Sequence, residues 1–211
     1  MIILLNGTSS SGKTTVAKKL QERYEGVLLL YGIDTLVQTA FPEKCDYPPY
    51  NEQTIRATFR EVDGRPRTTL EIMPYMIPIY RTAVEFCRRL SELGYDLIVD
   101  EVLFDTRRIS QYFGIFSGET VYFIGIKPGK EVVVSRERER GDRMTGLAEG
   151  LYDEVYNPLF SYDLTLDTGI LSPEESADRI IDYISRNEHP KGFARSAQAW
   201  SDHHGKLAGQ D

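Results

Sequence analysis

Cysteine is scarce in this chain, two in 211 residues, and neither Cys45 nor Cys87 stands at the spacing of a metal-ligand pair or of a disulfide framework. That excludes a thiol-stapled scaffold and fits a chain kept reduced, with both residues ordinary thiols and Cys87 buried. Long apolar runs are missing too: none approaches the roughly 20 residues that a membrane-crossing helix needs. The apolar start carries no preceding basic residue, so it reads as a strand rather than a secretory leader, and a cytoplasmic protein without a membrane partner is expected. A basic excess is also lacking. With 25 Lys and Arg against 32 Asp and Glu, the formal charge is -7, which excludes a protein that wraps nucleic acid along its phosphate backbone. There is no internal repeat, and the length suits one α/β domain with a substantial core.

What is present is concentrated at the start. Ile2 to Asn6 read as a buried strand that runs into Gly7-Thr8-Ser9-Ser10-Ser11-Gly12-Lys13-Thr14-Thr15. This is the phosphate-binding pattern G-x-x-x-x-G-K-[ST] in its proper strand-to-helix setting. Gly7 and Gly12 let the backbone turn so that its N–H groups face an anion. Lys13 reaches the β- and γ-phosphates in such loops, and the Thr14 hydroxyl holds Mg²⁺. Val16, Ala17 and Leu20 recur at helical spacing after Lys13, which sets a positive helix N-terminus beneath the phosphates. ATP with Mg²⁺ is the expected cofactor set.

Beyond the loop, strands alternate with helices. Strands are expected at 27–31, 95–99, 120–126 and 164–166, and helices at 74–93, 128–140 and 173–184, the last with Ser172 as N-cap and Glu175 closing a capping box. The alternation implies a mainly parallel sheet covered on both faces. Residues 41–70 interrupt it. Asp63-Gly64 there looks like a hairpin turn, and the insertion reads as a lid or acceptor-recognition region, or else as a plain surface excursion. Residues 187–211 are polar, with scattered apolar side chains, and are expected to be a poorly ordered tail outside a 1–186 domain.

Three groups carry candidate chemistry. Asp100 ends an apolar strand, as an acid that organises Mg²⁺ would, with Glu101 beside it. Arg136 and Arg140 share one helix face, next to Gly141 and Arg143; they fit a lid over 136–146 that closes on a nucleotide, or a solvated helix balanced by Glu137 and Glu139. Asp34 follows the second strand beside Gly32, where it can serve as a general base for an acceptor hydroxyl or simply cap the helix that follows. For the aromatic residues Tyr47, Tyr50, Phe59, Tyr75 and Tyr80, a place in the core is the ordinary expectation.

Taken together, Ile2 to Lys13, Tyr31-Gly32-Ile33-Asp34-Thr35-Leu36, Ile98-Val99-Asp100-Glu101-Val102, Arg140-Gly141-Asp142-Arg143, and Tyr162-Asp163-Leu164 with Asp167-Thr168 resemble the chloramphenicol phosphotransferase-like family, collinearly over residues 1 to about 186. The resemblance implies a P-loop kinase-like three-layer α/β sandwich with a lid and an acceptor-binding insertion. It implies ATP-dependent transfer to a hydroxyl of a small molecule, possibly an antibiotic such as chloramphenicol, with Asp34 as general base and Arg136, Arg140 and Arg143 in the lid. The aromatic acceptor region departs from the family. A kinase of an endogenous nucleoside or sugar, and a nucleotide-dependent switch in which Asp34 is only a helix cap, are the alternatives.

Overall fold

The computed structural model describes residues 1–32, 40–46, 49–141 and 144–207. The chain begins β1 (Ile2–Asn6), α1 (Lys13–Arg23), β2 (Leu28–Gly32), then β3 (Ile55–Val62) and β4 (Arg65–Ile72). It continues α2 (Met76–Glu92), β5 (Asp96–Glu101), α3 (Thr106–Ile115), β6 (Val121–Ile126), α4 (Lys130–Arg140) and α5 (Leu147–Val155). It closes with β7 (Leu164–Leu166), α6 (Pro173–Arg186) and α7 (Gly192–Leu207). No helix among the described residues is long and apolar enough to cross a membrane.

Five strands make one parallel sheet in the order β2-β5-β1-β6-β7. β1 is fully buried, and its alternating side chains feed two separate cores. Ile3 and Leu5 pack with Val16, Ala17 and Leu20 of α1 and Ala177 and Ile180 of α6. Ile2 and Leu4 face the other way, onto Val84 and Cys87 of α2, Ile109, Tyr112 and Phe113 of α3, and Phe193 and Trp200 of α7. This is the three-layer sandwich expected from the strand and helix alternation. Burial pushes the Cys87 thiol up to about 12, so it is inert packing, as expected. The capping box at α6 also forms: the Ser172 hydroxyl accepts from the Glu175 amide and the Glu175 carboxylate accepts from the Ser172 amide.

The expectation of a disordered tail is overturned. α7 packs on the core with Phe193 6% and Trp200 5% exposed, and the Trp200 indole donates to Ser110 Oγ at 3.0 Å. Asp163 holds the helix start by accepting from the Lys191 and Gly192 amides at 2.9 and 2.7 Å. Phe193, Ala197 and Trp200 do recur at helical spacing, but Gly, Ser, Gln and His between them dilute the pattern below what composition alone registers. The folded unit therefore runs well past residue 186.

Within the 41–70 insertion, the hairpin is where the turn signal put it. Asp63 and Gly64 have φ of 52° and 72°, a left-handed pair that suits a two-residue hairpin turn, and β3 pairs antiparallel with β4. β4 rests on α5. The Thr68 amide donates to Gly146 O at 2.9 Å, the Thr68 hydroxyl donates to Thr145 O at 2.6 Å, and a Cβ on Gly150 would lie 1.8 Å from Thr68 O. Only glycine at 150 allows that approach. Of the insertion's aromatic residues and their neighbours, Tyr80 alone is buried, whereas Phe59, Tyr75 and Tyr50 are exposed, contrary to the core expectation; Tyr47 lies outside the described residues.

Because Trp200 fills a fully packed aromatic cluster, Trp200→Ala is expected to lower stability by about 3–5 kcal/mol. Urea denaturation followed by far-UV circular dichroism checks this; a loss within about 0.5 kcal/mol would make α7 peripheral.

Candidate active site

The loop from Gly7 to Thr14 sits at the carboxyl end of β1, at the point where the strand order reverses between β5 and β6. Ligand crevices form there in open parallel sheets. Gly12, at φ 88°, turns the chain into α1, and Ser10 is held at φ 60°. Lys13 is 8% exposed, and its ammonium donates to Thr8 O at 3.0 Å. Thr8 Oγ1 and Ser10 Oγ are buried without a hydrogen-bond partner, a cost that a bound oxyanion would remove.

Thr14 Oγ1 donates to Asp100 Oδ2 at 2.6 Å. A hydroxyl and a carboxylate side by side are the hard oxygen donors that Mg²⁺ selects, so the pair anticipated from sequence fits that ion. Glu101 does something else. It is fully buried and accepts from Arg108 Nη2 and from the Tyr112 hydroxyl, each at 2.5 Å. Burial pushes its carboxyl up against the opposing pull of Arg108 and Tyr112. Although burial pulls the Arg108 guanidinium down, Glu101 holds it above its ordinary value, so the two remain an ion pair. That pairing commits Glu101 to holding Arg108 and Tyr112 of α3.

Arg136 and Arg140 are brought to the loop as their shared face requires. Arg136 donates to Thr168 Oγ1 at 3.0 Å and to Thr168 O at 2.6 Å, and the Thr168 hydroxyl donates in turn to Ser11 O at 2.6 Å. Arg140 lines two clefts that meet at the loop. One lies between Ser10, Gly12 and Thr15 on one side and Arg136, Thr168 and Leu171 on the other. The second runs from Ser9–Thr15 to an apolar wall of Ile55, Leu70, Val102, Phe104, Leu147 and Leu151. Glu137 is not the solvated salt-bridge partner it resembled in sequence. It is 5% exposed and caps α5, accepting from the Gly146 and Ala148 amides at 2.6 Å each. Asp34 and Arg143 lie outside the described residues.

Sequence reasoning missed the residues that hold the loop from behind. Thr8 donates its amide to the Tyr156 hydroxyl at 3.2 Å, and that hydroxyl donates to Ile126 O at 2.6 Å. Burial pushes the Tyr156 phenol well above its ordinary value, so it stays a neutral donor. Asn6 donates to Val155 O and to the Tyr162 hydroxyl, each at 2.8 Å, and accepts from the Leu103 amide at 3.0 Å. The contacts of Asn6 and Thr8 with Val155, Tyr156 and Tyr162 join residues 148 to 156 positions apart, and no local spacing announces them. Tyr156→Phe leaves the Thr8 amide unpartnered and is expected to cost about 1–2 kcal/mol, read by urea denaturation. A change below about 0.3 kcal/mol would mean that Tyr156 does not support the loop.

Known proteins resemble this chain in sequence and in fold. A protein of Mycobacterium tuberculosis provisionally named an O-phosphotransferase is 27% identical over 195 residues, covering 92% of this chain and 86% of the relative. Among solved structures, the M. tuberculosis APS kinase in complex with AMPPNP and APS superposes with a TM-score of 0.57 at 16% identity, over 87% of this chain and 96% of that one. A sugar kinase from Janibacter sp. gives 0.58 at 16% identity over 87% and 94%. The Deinococcus radiodurans tunicamycin resistance protein gives 0.56 at 18% identity over 89% and 95%. These likenesses establish a P-loop kinase fold. Residues 1–185 match the family described as chloramphenicol phosphotransferase-like protein, and the chain belongs to that family.

Proposed function

We propose that this protein transfers the γ-phosphate of ATP to a hydroxyl of a small molecule. The observation that carries the reading is the meeting of two clefts at one phosphate loop: a groove beside Arg136, Glu139 and Arg140 on one side and a pocket with an apolar wall on the other. A donor phosphate and an uncharged acceptor body need such unlike surroundings, joined at the atom that is transferred.

In this reading the amides of Gly12 to Thr15 at the start of α1 and the Thr8 and Ser10 hydroxyls cradle the phosphates, and Lys13 turns from Thr8 O to the β- and γ-phosphate oxygens. Thr14 and Asp100 hold Mg²⁺, which when bound neutralises charge on those oxygens. Arg136, Arg140 and Arg143 supply guanidinium donors to the equatorial oxygens while the 136–146 lid excludes water. Asp34 accepts the acceptor's hydroxyl proton. The insertion then supplies part of the acceptor wall through Ile55 and Leu70. An antibiotic such as chloramphenicol is one acceptor this wall could hold; a nucleoside or sugar is less suited to it because the wall offers few polar groups. The activity is consistent with a cytoplasmic enzyme with access to ATP.

The test incubates the protein with ATP and Mg²⁺ against hydroxylated antibiotics, nucleosides and sugars, with mass spectrometry to find a product one phosphate heavier. Asp34→Asn is expected to lower transfer by about 10² to 10⁴-fold while ATP still binds. Lys13→Ala is expected to weaken both binding and transfer, and chelation of Mg²⁺ to stop transfer. Full turnover by Asp34→Asn would remove Asp34 from the role of base. ATP binding with no product anywhere on a broad panel would favour the nucleotide-dependent switch.

A further inference from the structure

Gly146 is a junction of three elements. Its amide donates to Glu137 Oε1 of α4 at 2.6 Å, and the Ala148 amide of α5 donates to Glu137 Oε2, also at 2.6 Å. Its carbonyl accepts from the Thr68 amide of β4 at 2.9 Å, and Thr145 O beside it accepts from the Thr68 hydroxyl at 2.6 Å. Gly146 lies at φ 83°, and a Cβ there would meet Pro66 O at 2.4 Å, so glycine is what lets β4 seat on this turn. Arg65 adds a second tie from β4 to α4, donating to Glu131 at 3.0 Å.

The ties at Gly146 are buried: Glu137 is 5% and Thr68 0% exposed. A carboxylate with both oxygens on backbone amides has no water to replace them, so parting α4 from α5, or β4 from the turn, leaves buried polar groups unpaired. The three elements therefore shift together or not at all. What they carry borders the two clefts. Arg136 and Arg140 on α4 line the groove, while Leu70, two residues beyond Thr68 and on the same face of β4, lines the apolar wall. At its far end β4 is pinned to the core, with Ile72 buried and its carbonyl accepting from Arg107 Nη2 at 2.5 Å. β4 thus runs from a fixed base to an end held by the arginine helix.

We propose that Glu137 and Thr68 are positioning residues that couple the two clefts: an anion drawn onto Arg136 and Arg140 fixes α4 and, through Glu137, Gly146 and Thr68, fixes the β4 wall of the apolar cleft. This rests on the reading of the Gly7–Thr14 turn as a nucleotide site. Neither Glu137 nor Thr68 lines either cleft, so each acts through the residues it holds. A nucleotide on the loop then raises the affinity of the apolar cleft for its occupant, and by linkage that occupant raises the affinity for nucleotide by the same factor.

The experiment is amide hydrogen exchange on the full chain, read by mass spectrometry, with and without saturating AMPPNP and Mg²⁺. Exchange over β4 is expected to slow at least about fivefold more than exchange over α7, which none of these bonds reaches and which reports global stabilisation by the ligand. Glu137→Gln sets an amide NH₂ against a backbone N–H, and Thr68→Val removes the hydroxyl donor. In each variant the AMPPNP-dependent slowing over β4 should fall to that of α7. A merely structural role would change exchange with and without AMPPNP alike and leave the difference intact. Equal slowing of both segments in the wild-type chain, or a selective slowing that survives in the variants, would overturn the inference. If neither variant folds, tripolyphosphate with Mg²⁺ decides on the wild-type chain, because it has no nucleoside that could cover the hairpin directly: selective slowing over β4 is expected, and its absence overturns the inference. AMPPNP that fails to bind by calorimetry would overturn the nucleotide reading and this inference with it, whereas binding without selective slowing counts against the coupling alone.

Discussion

The rest of the structure depends on one constraint: the Gly7–Thr14 turn must hold its shape while the Thr8 and Ser10 hydroxyls stay buried without a hydrogen-bond partner. Such a turn is unfavourable by itself, because buried amides and hydroxyls lose their water. The surrounding fold holds it in place. β1 delivers Gly7 between two neighbouring strands, Gly12 turns the chain at φ 88°, and Tyr156 and Thr168 bind the loop through the Thr8 amide and the Ser11 carbonyl. The loop thus keeps its shape before any phosphate arrives.

The same supports connect the loop to its two clefts. Thr168 receives Arg136 on its other side, so the arginine helix is referenced to the loop. Glu137, one residue further on, caps α5, and α5 carries both Leu147 and Leu151 of the apolar wall and Gly150, on which β4 rests. The apolar wall and the arginine helix are therefore neighbours through α5. At the carboxyl end of β5 the two acids divide: Asp100 turns to Thr14 and Glu101 turns inward to Arg108. One strand terminus thereby serves the cation side of the site and the floor of the acceptor side.

Much of this was legible in the chain because it is local. The G-x-x-x-x-G-K-T run, the apolar strand ending at Asp100, the Asp63-Gly64 turn and the Ser172 capping box all rest on contacts within a few residues, and the structure bears them out. What escaped was held by distance or dilution. Tyr156 and Asn6 act across about 150 residues, and Glu137 carried the appearance of an exposed ion-pair helix while lying buried. α7 was hidden by its polar composition, although Phe193 and Trp200 complete a core shared with β1. α3 was not anticipated: Asp105 caps it by accepting from the Arg107 and Arg108 amides, and a lone Asp before two arginines is a weak signal.

A crystal structure of the chain with AMPPNP and Mg²⁺ tests the central claim most directly. The account predicts the β- and γ-phosphates within the Gly7–Thr14 turn, Lys13 withdrawn from Thr8 O onto them, and the cation beside Thr14 and Asp100. A nucleotide bound elsewhere, or phosphates in the turn with Lys13 still on Thr8 O, would contradict it.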